Sequence, residues 1–219
     1  KFNVKHLVFA SSSSVYGANK SYPFHEDSST DHPVSLYAAS KKTNELMSHV
    51  YSYNYGIPTT GLRFFTVYGP WGRPDMAGMI FIKSILNEEP IKIFNNGNMF
   101  RDFTFIDDVV NGIIKVNDKI PLENHEFNHE DPIPSLSSCK FKIFNIGNSK
   151  PIKLNDFIST IEKKLNRKAI KKYETIQLGD VEKTFSDSNK LKEWINFVPS
   201  TNLDEGISKL VDWYLDYYK

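Results

Sequence analysis

A tyrosine followed four residues later by a lysine, Tyr37 and Lys41 in YAASK, is a pair that can move a proton, because an ammonium near a phenol favours the phenolate. Spacing alone does not single it out. With 11 tyrosines and 23 lysines in 219 residues, about one such match arises by chance, and a second, Tyr16 with Lys20, is present. The Tyr16/Lys20 pair spans Gly17 and Asn19 in a loop, where nothing fixes the two side chains together. Tyr37 and Lys41 fall inside SLYAASKKTNELM, whose spacing predicts a helix, and side chains at i and i+4 of a helix stand one above the other. A phenol ionises near pH 10, so work as a base near neutral pH needs roughly 4 kcal/mol of differential stabilisation. One surface lysine does not supply that; a buried site and a second cation, such as a bound nicotinamide, are required. Four serines, Ser11 to Ser14, precede Tyr37 by 23 to 26 residues. A hydroxyl there can share a substrate oxygen with the phenolate, or it can merely satisfy loop backbone groups.

The elements that must position these groups are legible in outline. HLVFA (6–10) is a continuous apolar run ending in the serines, which predicts a buried strand whose carboxyl end opens into a polar loop, the place where parallel sheets put their chemistry. A helix is expected from Ser35, as cap, to about Tyr53, with Leu36, Ala39, Leu46, Met47 and Val50 as its apolar positions, stopped by Gly56 and Pro58. TTGLRFF (59–65) reads as the next buried strand, so strand, helix and strand imply a parallel crossover. Beyond the Gly/Pro-dense TVYGPWGRPDM come a helix at about 76–87, a strand at 91–94, a turn at 95–98 and the alternating strand FRDFTFI. Asp107 is expected to cap the helix that follows. Residues 118–140 read as a long loop; then follow strand FKIFNIG, a helix near 154–166, strand AIKKYE and a last helix from Leu203.

Composition excludes several classes. Lysine and arginine number 27 against 26 acidic residues, a net charge of +1, and only four of the basic residues are arginine, so no field draws a nucleic acid. The single cysteine, Cys139, forms no internal disulfide and reads as a thiol without a role. No apolar run is long enough for a membrane span or a signal sequence, and the expectation is a soluble, cytoplasmic protein. His125 and His129 have helical spacing but sit in a Glu/Asn/Pro loop, so no metal is expected.

ASSSSVYG, YAASK, LRFFTVYGPWGRPDM, FRDFTFIDD, NIGN and GDVEKTFSD, in that order, resemble the extended short-chain dehydrogenase/reductase superfamily of nucleotide-sugar epimerases and dehydratases, and within it the UDP-glucuronate 4-epimerases. The resemblance runs the length of the chain. It implies an α/β fold: the C-terminal part of a Rossmann-like parallel sheet, incomplete, over residues 1–66, and a smaller mixed α/β substrate-binding domain making up most of 67–219. It implies NAD as cofactor, Tyr37 as base, Lys41 as the residue that lowers its pKa and binds the nicotinamide ribose, Ser12 as the catalytic hydroxyl, and Ser13 and Ser14 beside the sugar. Phe64 and Phe65 would line the nicotinamide pocket. Thr66 and Arg73 would face the sugar carboxylate, which suits an arginine fork. Lys92, Ile93 and Phe94 would border the uracil, Arg101 would contact the diphosphate, and Asp180 would hold the uridine ribose. Gln177 stands where relatives that handle other sugars often carry arginine. The dehydratases carry Thr-Asp-Glu where this chain has Ser12, Ser13 and Ser14, which favours simple oxidation and re-reduction.

The glycine fingerprint that cradles a dinucleotide pyrophosphate needs close-set glycines. The eleven glycines here are scattered, and the nearest pair, Gly69 and Gly72, is interrupted by Pro70. The family carries its fingerprint about a hundred residues ahead of the strand near Lys1. The reading is therefore a C-terminal piece of an epimerase that interconverts UDP-glucuronate and UDP-galacturonate. A separate N-terminal NAD-binding segment and a second copy of the chain are candidate partners, and the unpaired sheet side would favour association. The alternatives are a remnant without turnover, a UDP-glucuronate decarboxylase, or another NAD-dependent sugar epimerase.

Overall fold

The computed structural model describes residues 4–176 and 181–218. Asp180 and Gln177 lie outside the described residues.

The apolar run after His6 forms β1 (Leu7–Ser12), and a 3-10 turn over Ser13–Tyr16 carries the chain off its carboxyl end. Helix α1 (Leu36–Tyr55) starts where Ser35 accepts a hydrogen bond from the Ala38 amide at 3.1 Å, and it ends at Gly56, whose φ of 64° is a left-handed conformation suited to glycine. Strand β2 (Thr59–Phe64) then runs parallel to β1, in register from Leu7 with Thr59 to Ser12 with Phe64. The expected strand, helix and parallel strand are all present, but β1 is not the buried strand expected. Leu7 and Ala10 are exposed and Val8 and Phe9 half-buried, because β1 pairs on one side only among the described strands, whereas β2 is buried. β6 (Phe141–Ile146) joins β2 on its other side, also parallel, giving the order β1-β2-β6. The first sheet thus takes a strand from beyond residue 66, so the expected division of the chain there is crossed in space.

The remaining strands make two smaller sheets. β3 (Thr66–Tyr68) pairs parallel with β5 (Phe100–Phe105), and β7 (Pro151–Lys153) pairs antiparallel with β5. β4 (Pro90–Phe94) pairs parallel with β8 (Ile170–Glu174). Helices α2 (Ala77–Leu86), α4 (Leu154–Leu165) and α6 (Leu203–Tyr217) enclose a core containing Ile82, Phe103, Phe157 and Leu210. A second core, containing Leu62, Val109, Ile146 and Leu191, joins the first sheet to α3 (Ile106–Asn117) and α5 (Asn189–Ile195).

Three local expectations are corrected. The apolar positions of α1 do not face the sheet: Leu36, Leu46, Met47 and Val50 are exposed, and Ala38, Glu45 and Ser52 are buried instead. The inward face is small and polar because it packs against a buried arginine rather than against hydrocarbon. Asp107 does not cap α3; Phe105 holds that position and Asp107 lies in the first turn, where its charge complements the helix dipole. Its neighbour Asp108 accepts the amides of Ser200 and Thr201 at 3.0 and 2.8 Å. The elements missed by periodicity, β3, β7 and α5, have seven residues or fewer, too short to show a period.

The segment 118–140 carries no helix or strand and is pinned at Ser135, whose hydroxyl donates to Asp27 while Lys190 donates to both. Partial burial pushes the Asp27 carboxyl up, but the hydrogen bonds and charge of Lys190, with Ser135, outweigh it and hold it below the usual carboxylate range. A depressed folded-state value contributes stability above the unfolded ionisation near pH 4, lost as pH falls further. Protection of the amides at residues 135–138, measured against the intrinsic exchange rate at each pH, should therefore fall below about pH 4 in the wild type, and an Asp27→Asn variant should show that lower protection already at pH 7. Equal exchange in the two proteins at pH 7 would show that the tie does not hold the loop.

Candidate active site

Tyr37 sits in the first turn of α1 and is 52% exposed. It lines a cavity of about 340 Å³ together with Phe65, Thr66, Trp71 and Arg73. The Lys41 ammonium lies 5.8 Å from the centre of the Tyr37 ring and donates to the Ala10 carbonyl at 3.0 Å. That bond ties α1 to the end of β1, so the helix carrying Tyr37 and the strand carrying the serines are held at one place.

The four serines divide their work. Ser11 is buried and donates to Glu45 at 2.5 Å. Ser12, 7% exposed, accepts the Ser14 amide and donates to the Ser14 hydroxyl, both at 3.1 Å. Ser13 and Ser14 line a smaller cavity of about 170 Å³ with Thr66 and Arg101. The expectation that serine hydroxyls satisfy loop backbone groups describes Ser12, which takes the Ser14 amide; Ser11 pairs instead with a helix side chain, and Ser13 and Ser14 border a cavity.

A third cavity, about 600 Å³, is lined by Thr66, Asp75, Lys92, Phe94 and Arg101, among others. Thr66 borders all three cavities and Arg101 borders two, so the three are compartments of one cleft. Arg101 donates to the carbonyls of Phe100 and Glu182 at 3.0 and 3.2 Å. Behind it, the buried Asp102 accepts the amides of Asn148, Ser149 and Ser186 and the Ser186 hydroxyl, which braces β5 where Arg101 leaves it. Burial raises the Asp102 carboxyl above the usual range, opposed by those donors.

Two adjacent pairs separate because strand neighbours point to opposite faces. Ile93 is fully buried in the core, whereas Lys92 and Phe94 face the cleft, so Ile93 offers the cleft no side chain. Phe64 packs into the core beneath the first sheet, and Phe65 alone of that pair lines the Tyr37 cavity. Arg73 forks onto Asp75, with Nε to Oδ1 and Nη2 to Oδ2 both at 3.1 Å, at the cleft mouth. Both side chains are about 70% exposed, so water screens the pair and holds it weakly.

Tyr16, the other tyrosine with a lysine at i+4, is buried; its hydroxyl donates to Asn145 at 2.6 Å and accepts from Arg63 at 3.1 Å. Burial, with a smaller contribution from Glu26, pushes it up to about 12 against the pull of Arg63, so it is a structural phenol. Arg63, with no exposed surface, forks onto Glu45 at 2.8 and 3.0 Å and donates to the Glu26 carbonyl at 2.9 Å. Burial works against the charge of Arg63, and the Glu45 carboxylate outweighs it and keeps the guanidinium protonated. This network joins β1, α1 and β2. Sequence reading missed it, although one signal was present: Arg63 is the only charged residue in TTGLRFF.

Residues 1–128 match the model of the NAD dependent epimerase/dehydratase family, more than half of the chain. The chain belongs to that family. Its relatives within the NAD dependent epimerase/dehydratase family include Protein CapI of Staphylococcus aureus, 52% identical over 218 residues, covering all of this chain and 65% of that protein. A probable UDP-glucuronate 4-epimerase of Rhizobium meliloti is 44% identical over 216 residues, covering 98% of the chain and 63% of the relative. Among solved structures, UDP-glucuronic acid 4-epimerase from Bacillus cereus in complex with UDP-glucuronic acid and NAD superimposes with a TM-score of 0.84 at 32% identity. It matches 99% of this chain and 63% of its own. The chain thus spans somewhat under two thirds of the length of these relatives. No helix among the described residues is long and apolar enough to cross a membrane.

Proposed function

We propose that this chain is the catalytic and sugar-nucleotide-binding part of a UDP-glucuronate 4-epimerase, working in the cytoplasm, with NAD as its bound cofactor. The observation that carries this is the single cleft whose compartments hold Tyr37 with Arg73, Ser13 with Ser14, and Lys92 with Arg101. A sugar diphosphate nucleoside needs a base at the sugar, a cation at its carboxylate and a cation at its diphosphate, and the cleft offers one of each in series.

The residues beside Tyr37 fit a nicotinamide. Phe65 offers an aromatic wall in the same cavity, with Phe64 behind it, and Lys41 sits beside the tyrosine to engage a ribose hydroxyl. NAD held there would supply the hydride acceptor for C4 of the sugar and, once the 4-keto sugar has turned over in the cleft, the hydride for its opposite face, so it is regenerated. Tyr37 takes the proton from the C4 hydroxyl and gives it back, and Ser12 donates a hydrogen bond to the same oxygen once it releases Ser14. Thr66 and Arg73 hold the sugar carboxylate. Lys92 and Phe94 border the base, with Ile93 supplying backbone, Arg101 meets the diphosphate, and Asp180 holds the ribose.

Wild-type protein supplied with NAD, and with a separately expressed glycine-motif strand-helix segment of a family member, is expected to convert UDP-glucuronate to UDP-galacturonate. Release of carbon dioxide without UDP-galacturonate would replace this reading with a decarboxylase, and no turnover at all with a remnant. The carboxylate assignment has its own test. Arg73→Ala should weaken UDP-glucuronate binding roughly tenfold, the cost of a charge-assisted fork, and leave UDP-glucose binding nearly unchanged. Equal losses for both ligands would remove Arg73 from the sugar site.

A further inference from the structure

Trp71 has a backbone that a bulky residue rarely adopts: its φ is 62°, in the left-handed region, and its side chain is 73% exposed. Such a conformation costs about 1–3 kcal/mol and persists only where the surroundings over-determine it. Burial does not hold it here. What touches Trp71 is α6: its ring lies 5.4 Å from Trp213 and 5.1 Å from Tyr217, which themselves stack at 5.2 Å. Two aromatic pairs contribute about 0.5–1.5 kcal/mol each, the right size to offset the strain.

The same helix braces both ends of the loop that Trp71 occupies. At the start, Gly206 of α6 leaves room for Tyr68, whose hydroxyl oxygen would lie 2.0 Å from a Cβ placed there. At the far end, Leu210 of α6 packs on Gly78, and Leu210 also lines the Tyr37 cavity. Between these fixed ends stands Arg73, two residues after Trp71, with its guanidinium largely in water. The backbone of the loop is turned by Gly72 N–H to Gly69 C=O at 3.3 Å and Met76 N–H to Arg73 C=O at 3.0 Å. Burial therefore does little to aim Arg73; its guanidinium is forked onto Asp75, and the loop backbone that carries both is turned by these two bonds and braced by the aromatic stack.

We propose that Trp71 is a positioning residue for sugar selection: stacked on Trp213 and Tyr217, it holds the 69–76 loop so that Arg73 is presented to the Tyr37 cavity. The C-terminal helix thereby controls preference for a carboxylated sugar without touching the sugar. This rests on the reading of Arg73 as the carboxylate ligand. The strain is stored in the Gly/Pro loop and is released if the stack is lost.

The test measures binding of UDP-glucuronate and UDP-glucose to the chain by calorimetry, with near-ultraviolet circular dichroism reporting the coupled Trp71 and Trp213 rings. Tyr217→Ala and Trp213→Ala should each cut the preference for UDP-glucuronate over UDP-glucose about two- to tenfold, the equivalent of one aromatic pair. Trp71→Gly accepts the left-handed backbone without strain, so it loses only the ring contacts and should lower the preference equally. Trp213→Phe keeps a ring in the stack and should restore most of it. Trp213→Ala and Trp71→Gly should lose the dichroism of the ring pair, and Tyr217→Ala, which keeps both indoles, should weaken it. If Trp71→Gly lowers the preference while the α6 variants leave it intact, the indole meets the ligand directly and the positioning role is overturned. If the dichroism changes and no variant alters the preference, the stack has no part in selection. If Arg73→Ala itself leaves the preference unchanged, it is the carboxylate reading that has failed.

Discussion

Tyr37→Phe should abolish interconversion of UDP-glucuronate and UDP-galacturonate to within about 10²- to 10⁴-fold below the parent rate, the contribution of a positioned proton-transfer group, while UDP-glucuronate binding stays nearly unchanged. The variant removes one oxygen and keeps the ring. Tyr37 makes its cavity wall with that ring, and α1 does not depend on the hydroxyl: its start is fixed by the Ser35 cap and its position by Lys41 on the Ala10 carbonyl. Stability should therefore be unaltered within a few tenths of a kcal/mol, as for surface substitutions generally. The rate is read from product formed by the NAD-supplied assembly described above, and binding by calorimetry on the chain. A Tyr37→Phe rate within threefold of the parent would show that another group moves the C4 proton. The other tyrosine of the same spacing is the internal control. Tyr16 is buried, pushed up to about 12, and Tyr16→Phe should act on stability through Asn145 and Arg63 rather than on the chemistry.

The second large effect lies in the buried ion pair between α1 and β2. Glu45→Ala and Arg63→Leu should each destabilise the protein by about 3–5 kcal/mol, because each leaves one buried charge without its partner. That is a large part of the 5–15 kcal/mol that holds a typical domain. Arg63 has no exposed surface and Glu45 is 2% exposed, so water cannot replace the lost partner. Glu45 also receives Ser11, the residue before Ser12, so its loss loosens the end of β1. The double variant Glu45→Leu/Arg63→Met should recover much of the stability, since an apolar pair of similar volume avoids the desolvation cost. Urea unfolding of the four proteins is the measurement. Single-variant costs below about 1 kcal/mol would mean that the pair is wet and the network is not what joins α1 to the sheet.

The outcome for α1 shows where reading a sequence stops. Its ends were written locally: a serine hydroxyl reaching the third amide onward, and a glycine free to turn left-handed, both act within a few residues. The direction it faces was not. Leu46, Met47 and Val50 have the hydrophobicity of a core face, yet Glu45 is the residue turned inward, and only the position of Arg63 in the neighbouring strand explains it. A helix buries whatever its neighbour can pair with, and the neighbour is 18 residues away in sequence.

The candidate site divides in the same way. Tyr37 and Lys41 were legible because helical geometry alone brings i and i+4 together. The parallel β1 and β2 were legible from the order strand, helix, strand, but their burial was not. The apolar residues of β1 are exposed or half-buried at the sheet edge, and the buried strand is β2, which carries two threonines and Arg63. That Phe65 and not Phe64, and Lys92 and Phe94 but not Ile93, reach the cleft followed from strand alternation only once the buried face was known. Thr66 as the residue common to three compartments, Asp102 as the brace behind Arg101, and Trp71 held by α6 depend on packing between distant elements, across 46 to 146 residues of chain for Asp102 and Trp71, which no local pattern encodes. The sequence by itself determined which chemical groups the protein has and how its elements begin and end, because those depend on neighbours along the chain. The tertiary structure decided which of those groups share one cleft, because that depends on packing between elements whose order in space the chain does not spell out.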